Sequence, residues 1–351
     1  MLRRAVSIAG AALLLSSPLC AEALPSIDMT EFARQPLTLA DGSNSEIVNF
    51  VSRSPADFAP MLHGELGLET RLNGQLFRPG NAAGKIPAVI LVPGSANLGP
   101  HHLVQAASLT RKGIAVLIID PFTGRKLTDT VADQGRFTWA ASVYDVIAAT
   151  QYLRTRRDID GNKIGALGGS RGGTAVMMAA ARPISERLLG KNKGLRFVVA
   201  GYPWCGTQFK SAKLAKESSL LVMSGDRDDW VSVQQCQGAV SAMAAAGSNS
   251  AIRLVADALH AFDRGDVSPR RIEQAVTSTI FPAVYMDDEG RFFDLYTGKL
   301  DPALTSADFV RRSVEGGFVH KGVTIGSTGN QAKQYEDAAT AFLSQLKGDK
   351  K

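Results

Sequence analysis

Residues 163–174 read Lys-Ile-Gly-Ala-Leu-Gly-Gly-Ser-Arg-Gly-Gly-Thr, with Ser170 between Gly168 and Gly172. The run up to Leu167 is short and apolar, as a buried strand is, and Thr174 to Ala181 is rich in Ala and Met, as a helix is. Between them the glycines leave room for a sharp strand-to-helix turn, where side chains flanking the serine would collide with neighbouring backbone. Such a turn sets the Ser170 hydroxyl at a helix N-terminus, whose free N–H groups and positive dipole end favour a developing negative charge. A Gly-x-Ser-x-Gly pattern alone is common in turns without chemistry. The strand before it and the helix after it give it meaning here. A dinucleotide-binding turn does not fit, because the G-x-G-x-x-G spacing is missing and the turn lies deep in the chain.

Outward from this turn, apolar runs recur at Ala88–Val92, Ile114–Ile119, Ile164–Leu167, Phe197–Ala200, Leu220–Met223 and Ile252–Val255, and read as buried strands. Helical segments alternate with them. The clearest is Trp139–Thr155, where Val143, Val146, Ile147, Thr150 and Leu153 share a face. The pattern predicts an α/β fold with a mostly parallel central sheet flanked by helices. Glu65–Leu68 and Leu72–Phe77 around Asn73-Gly74 predict an N-terminal antiparallel hairpin on one sheet edge. Residues 24–60, with Pro36, Pro55 and Pro60, read as an irregular lead-in. Tyr335, Ala338, Ala339, Phe342 and Leu346 predict a closing amphipathic helix within 330–346. Residues 264–329 show no clear period, and read as an insertion or lid.

A serine at such a turn needs a base and an acid. Leu220–Met223 runs into Gly225-Asp-Arg-Asp228-Asp-Trp230-Val231, and Ala258-Leu-His260-Ala-Phe262 follows the next strand. Asp228 is placed ahead of Asp226 and Asp229, which are read as caps for the following helix. His260 is the suitably placed histidine after Ser170. The order Ser, Asp, His and the predicted sheet bring all three to one edge, as in the α/β-hydrolase fold. The chemistry expected is acyl transfer to water: His260 takes the Ser170 proton, Ser170 attacks a carbonyl, and Asp228 orients the imidazole. The backbone N–H groups of Arg171 and Ser95, with Ala96 as the reserve, are expected to hold the oxyanion.

The elbow Gly-Gly-Ser170-Arg-Gly-Gly, the acidic turn Gly-Asp-Arg-Asp228-Asp-Trp-Val and His260-Ala-Phe resemble the dienelactone hydrolase family within the α/β-hydrolases, over roughly residues 62–262. Asp120-Pro-Phe-Thr-Gly-Arg125 is similar to that family's loop beside the active site. The resemblance implies ester or lactone hydrolysis with no metal or organic cofactor, and a small-molecule ester or lactone as partner. Three features depart from the family: serine stands where dienelactone hydrolases carry cysteine, Pro93-Gly94 stands where many relatives have His-Gly, and 264–329 is a large addition. Arg125, whose forked donors suit a carboxylate, His101 with its neighbour His102, and Trp230 are candidate substrate contacts, with a loop-fixing role for Arg125 equally open. The histidine pair lacks further ligands at zinc spacing, so no metal site is read there. An acyltransferase, a peptidase or a non-catalytic binding protein would share these features.

Arg3 and Arg4, the apolar run Val6–Leu15 and Ala21-Glu-Ala23 form the pattern of a secretory signal peptide over 1–23, leaving a single domain over 24–351 and a periplasmic or secreted location. The run is shorter than the ~20 apolar residues that span a bilayer, so no stable membrane anchor is expected. A lipid-attached Cys20 is disfavoured by Ser17-Pro18-Leu19 before it. Cleavage leaves Cys205 and Cys236, either one disulfide or two buried thiols. Under the resemblance, their two loops lie on neighbouring strands and can meet, and a disulfide is expected. The formal charge of +6 is spread without interleaved aromatics, so nucleic acid is not an expected partner. Oligomeric state is left open.

Overall fold

A computed structural model describes residues 27–80 and 84–348. The signal peptide predicted over 1–23 lies outside the described residues. The chain runs β1 (Glu46–Ser54), α1 (Phe58–Leu62), β2 (Leu68–Phe77), β3 (Ile86–Val92), α2 (Pro100–Arg111), β4 (Ala115–Asp120), α3 (Trp139–Thr155) and β5 (Ile159–Gly169). It continues through α4 (Arg171–Ala180), α5 (Arg182–Leu188), β6 (Phe197–Gly201), β7 (Thr207–Phe209), β8 (Ser219–Gly225), α6 (Val233–Ala245) and β9 (Asn249–Val255). The final part is β10 (Arg270–Thr277), β11 (Val284–Met286), α7 (Ser306–Glu315), β12 (His320–Ile325) and α8 (Gln331–Leu343).

Eight strands form the central sheet in the order β1-β2-β4-β3-β5-β6-β8-β9. β1, β2 and β4 pair antiparallel, and β4 through β9 are parallel. Strand periodicity divides the core between the two faces. Ala88, Ile90 and Val92 of β3 join the cluster containing α3 and α4, while Val89 and Leu91 join the cluster containing α2 and α8. Every residue of β3, β4 and β6 is buried, which is why these strands read as unbroken apolar runs. Among the described residues no helix is long and apolar enough to cross a membrane.

The structure corrects the sequence reading in three places. Asn73-Gly74 is no turn: it lies inside β2, which pairs with β1 on one side and β4 on the other. A Cβ on Gly74 would come 2.8 Å from Leu117 and 3.1 Å from Val48, so the glycine serves close packing. The antiparallel edge is present, but its outer arm is β1, from the stretch read as irregular. Val48, Phe50 and Ser52 alternate inward there, a period-two signal set between polar residues. Third, β9 is an edge strand with Leu254 42% exposed, not a buried one.

Residues 264–329 fold as a covering layer. β10 pairs antiparallel with β12, and β11 pairs parallel with β7. α7 is fastened at its start by Asp57, whose carboxylate accepts from the Ser306 N–H at 2.6 Å and hydroxyl at 2.7 Å. Cys205 and Cys236 are joined by a disulfide that ties the loop after β6 to α6, so the free-thiol alternative falls.

Candidate active site

β5 ends at Gly169 and α4 starts at Arg171, so the whole reversal is carried by Ser170, at φ 53° and ψ −120°. A residue with a side chain pays strain in this region, and strain of this kind gathers at functional sites. Two glycines make the turn possible. A Cβ on Gly172 would lie 2.2 Å from the Val92 carbonyl oxygen, and one on Gly168 would lie 2.4 Å from that of Gly172. The Ser170 N–H donates to the Gly201 carbonyl at 2.8 Å, pinning the turn to β6.

The loops after β8 and β9 bring the predicted partners to this turn. His260 Nε2 lies 2.9 Å from Ser170 Oγ, and His260 Nδ1 lies 2.8 Å from Asp228 Oδ2. The Asp228 side chain is fully enclosed and that of His260 is 2% exposed. The other Asp228 oxygen accepts the N–H groups of Trp230 at 2.9 Å and Val231 at 3.0 Å, so the acid is fixed by its own turn. Its neighbours go elsewhere. Asp226 is exposed, and Asp229 accepts the Thr324 N–H at 2.8 Å. Neither caps α6, a role held by Ser232.

Arg171, as the first residue of α4, presents a backbone N–H that has no acceptor within the helix. Ser95 sits in the loop after β3, which Gly94 lets approach until its Cβ would be 3.2 Å from that of Ser170. Ser95 Oγ donates to Gln134 Oε1 at 2.9 Å, and the same oxygen accepts from Arg171 at 2.8 Å. The Arg171 side chain also donates to the Phe137 carbonyl, Ser142 Oγ and the Gln134 carbonyl, and lies over Trp139. Burial brings this guanidinium down to about 9. Gln134 thus ties the two candidate oxyanion donors together through their side chains.

A cavity of about 480 Å³ opens beside Ser170, walled by Trp139, Trp204 and Trp230 together with Val276, Val310 and Val314. β10 and α7 supply the last three, so the insertion forms one wall. Trp230 lines the cavity and also packs on the His260 ring at 4.7 Å. Arg125 and His101 do not line it. Arg125 forms a two-pronged pair with buried Asp145 at 2.8 and 2.9 Å and covers Phe137, so its donors fix the loop after β4. His101 is buried on α2 against His102, with ring centres 3.9 Å apart. A larger groove of about 830 Å³, lined by Pro79, Arg111, Lys112 and Lys347, holds none of the predicted residues.

The sheet order, the serine turn after β5 and the acid and histidine after β8 and β9 now stand together. The chain has the α/β-hydrolase fold. The prolyl oligopeptidase family profile matches residues 101–185. Among solved structures the chain is similar to a dienelactone hydrolase-like promiscuous phosphotriesterase from metagenomic libraries, at 18% identity and TM-score 0.48, covering 78% of this chain and 96% of that one. It is similar to Est1E from Butyrivibrio proteoclasticus at 16% identity and TM-score 0.42, covering 54% and 86%. It is also similar to the thermophilic esterase Est2 from Thermogutta terrifontis at 17% and 0.43, covering 54% and 80%. No curated protein matches the sequence.

Behind Ser170, His260 and Asp228 in this α/β-hydrolase fold lies a polar cluster that the sequence did not reveal. Tyr202 meets the His260 ring edge-on at 4.8 Å and donates to Asp263 Oδ1 at 2.6 Å. Gln105 donates to Asp263 Oδ2 at 3.0 Å, and His101 Nε2 lies 3.9 Å from the same oxygen. Burial raises Asp263 above the usual carboxylate range and pushes Tyr202 far above the usual phenol range, so the phenol keeps its proton to donate. Burial takes His101 down to about 3 and His102 well below an ordinary histidine. No local pattern announces this cluster, since β6, α2 and the turn after His260 meet only in the fold. Gln134, Trp139 and Trp204 were missed for the same reason.

Proposed function

We propose that the chain is a serine hydrolase that cleaves carboxylic ester or lactone bonds through an acyl-enzyme on Ser170. The observation that carries this reading is the unbroken hydrogen-bond chain from Ser170 Oγ through His260 to Asp228. His260 takes the hydroxyl proton as the Ser170 oxygen attacks the carbonyl carbon, and Asp228 stabilises the imidazolium that forms. The N–H groups of Arg171 and Ser95 receive the oxyanion. On its collapse the leaving alcohol takes the proton from His260, and a water activated by the same imidazole then releases the acid. The leader pattern and the disulfide support export to the periplasm or beyond, where disulfides persist.

A fluorophosphonate probe tests the proposal. Labelling of the wild type, lost in Ser170→Ala, is the expected result. Absence of labelling in folded protein would favour a binding protein instead. The prolyl oligopeptidase match includes Ser170, which favours a peptidase as the second reading. Matched panels of short esters and peptide amides, with and without alcohol or amine acceptors, separate hydrolase, peptidase and acyltransferase.

A further inference from the structure

The cavity beside Ser170 makes a statement about charge. Its walls hold all three tryptophans of the chain, and among the described residues none that lines it is Lys, Arg or His. The acids lining it are Asp57 and Asp133. Asp57 is spent on Phe58 and Ser306, while Asp133 is exposed, with one oxygen accepting from the Gly135 N–H. Arg171, behind the Trp139 ring, does not line the cavity, and both of its Nη groups are directed at Phe137, Ser142 and Gln134, leaving only Nε, itself buried, without a partner. Arg125, one candidate for meeting a substrate carboxylate, is locked onto Asp145 and does not line the cavity. An anion entering would lose water with no cation to replace it, and would meet carboxylates of its own sign.

The apolar side is as definite. Val310 and Val314 of α7, four residues apart, are 56% and 59% exposed although both line the cavity. Exposed valines on one helix face beside a stacked Trp139–Trp204 pair, ring centres 4.7 Å apart, leave apolar surface that a bulky ligand would cover. We propose that this cavity takes esters with a bulky apolar and uncharged body, and rejects esters that carry a carboxylate. The proposal rests on the serine hydrolase reading, and its test includes a binding readout that needs no turnover.

With the wild type, para-nitrophenyl hexanoate is compared with mono-para-nitrophenyl adipate and with the methyl ester of that adipate. The expected kcat/KM for the free carboxylate is lower than for hexanoate by on the order of 10- to 100-fold, and is mostly restored by methylation. Val314→Lys is expected to raise adipate relative to hexanoate. Because every tryptophan lines the cavity, the intrinsic fluorescence of Ser170→Ala reports occupancy. Dimethyl cyclohexane-dicarboxylate is expected to change it at concentrations where the monomethyl ester does not. Equal turnover of hexanoate and adipate, an unmoved ratio in Val314→Lys, or equal binding of the two cyclohexane esters overturns the charge selection while leaving the hydrolase reading intact. Binding selectivity without turnover of any ester would instead support the cavity and overturn the hydrolase.

Discussion

Asp228 divides its two oxygens between the imidazole and the N–H groups of Trp230 and Val231, so one side chain both holds the His260 ring and shapes its own turn. Asp228→Asn keeps an oxygen for the turn but offers the imidazole an amide. We expect the protein to fold with near wild-type circular dichroism while ester turnover drops about 10³- to 10⁴-fold. Asp226→Asn should leave turnover unchanged, and a loss there would displace Asp228 from the acid's role. The meeting of Ser170, Asp228 and His260 was legible because each follows a strand at a turn, the first two after buried apolar strands and His260 after the edge strand β9. Tyr202 was not legible. Its value comes from reaching buried Asp263 across the fold, and Tyr202→Phe should cost about 1–3 kcal/mol in urea denaturation by removing one of that carboxylate's donors. The same substitution made on Asp263→Asn should cost less, since the charge needing the donor is gone.

At the scale of elements, two fastenings hold the walls of the cavity. The disulfide closes a sequence separation of 31 residues and anchors the loop that carries Trp204. In the chain-entropy picture its removal by Cys205→Ser with Cys236→Ser costs about 3–4 kcal/mol, readable as a lower denaturation midpoint that reductant no longer shifts. The second fastening is Asp57 on the start of α7. Asp57→Ala should leave the sheet intact yet speed limited proteolysis within 295–320 and raise KM for esters, because α7 supplies a wall. Unchanged proteolysis would show that packing of Phe309 against Phe292, at 5.0 Å, is enough to hold the helix. The strands and helices around Ser170 could be read because both faces of the parallel sheet are covered and each strand appears as a plain apolar run. The covering layer could not. β10 and β12 are half-exposed and lean on parts of the chain far from them, so their apolar residues are too few to set a period, while α7 does have an amphipathic face with Phe309, Val310 and Val314 but spans only ten residues. β2 misled for a related reason: Gly74 looks like a turn residue, and only the neighbouring Leu117 and Val48 explain its missing side chain.

For the molecule as a whole, a pH dependence of stability is expected from groups set away from Ser170, His260 and Asp228. His101 and His102 lie buried on α2, near Asp263 and Arg264, and burial holds His101 down to about 3. In the unfolded chain a histidine titrates near its ordinary value of about 6.5. Between those values the unfolded state binds the extra proton, so stability falls as pH drops below about 6.5, with a slope of up to about 1.4 kcal/mol per pH unit for each such group. Asp263 and Asp145 act in the opposite sense. Their folded values are raised, so their contribution is full below 3.8 and is lost as pH rises through the folded values, offsetting part of the histidine slope. His101→Phe removes one histidine and leaves both carboxylates in place. Urea denaturation at pH 7.5, 6 and 5 should therefore show a shallower loss of stability in the variant than in the wild type. Parallel losses would mean that His101 gains its proton without unfolding, and that the polar cluster behind His260 admits charge more readily than its burial implies.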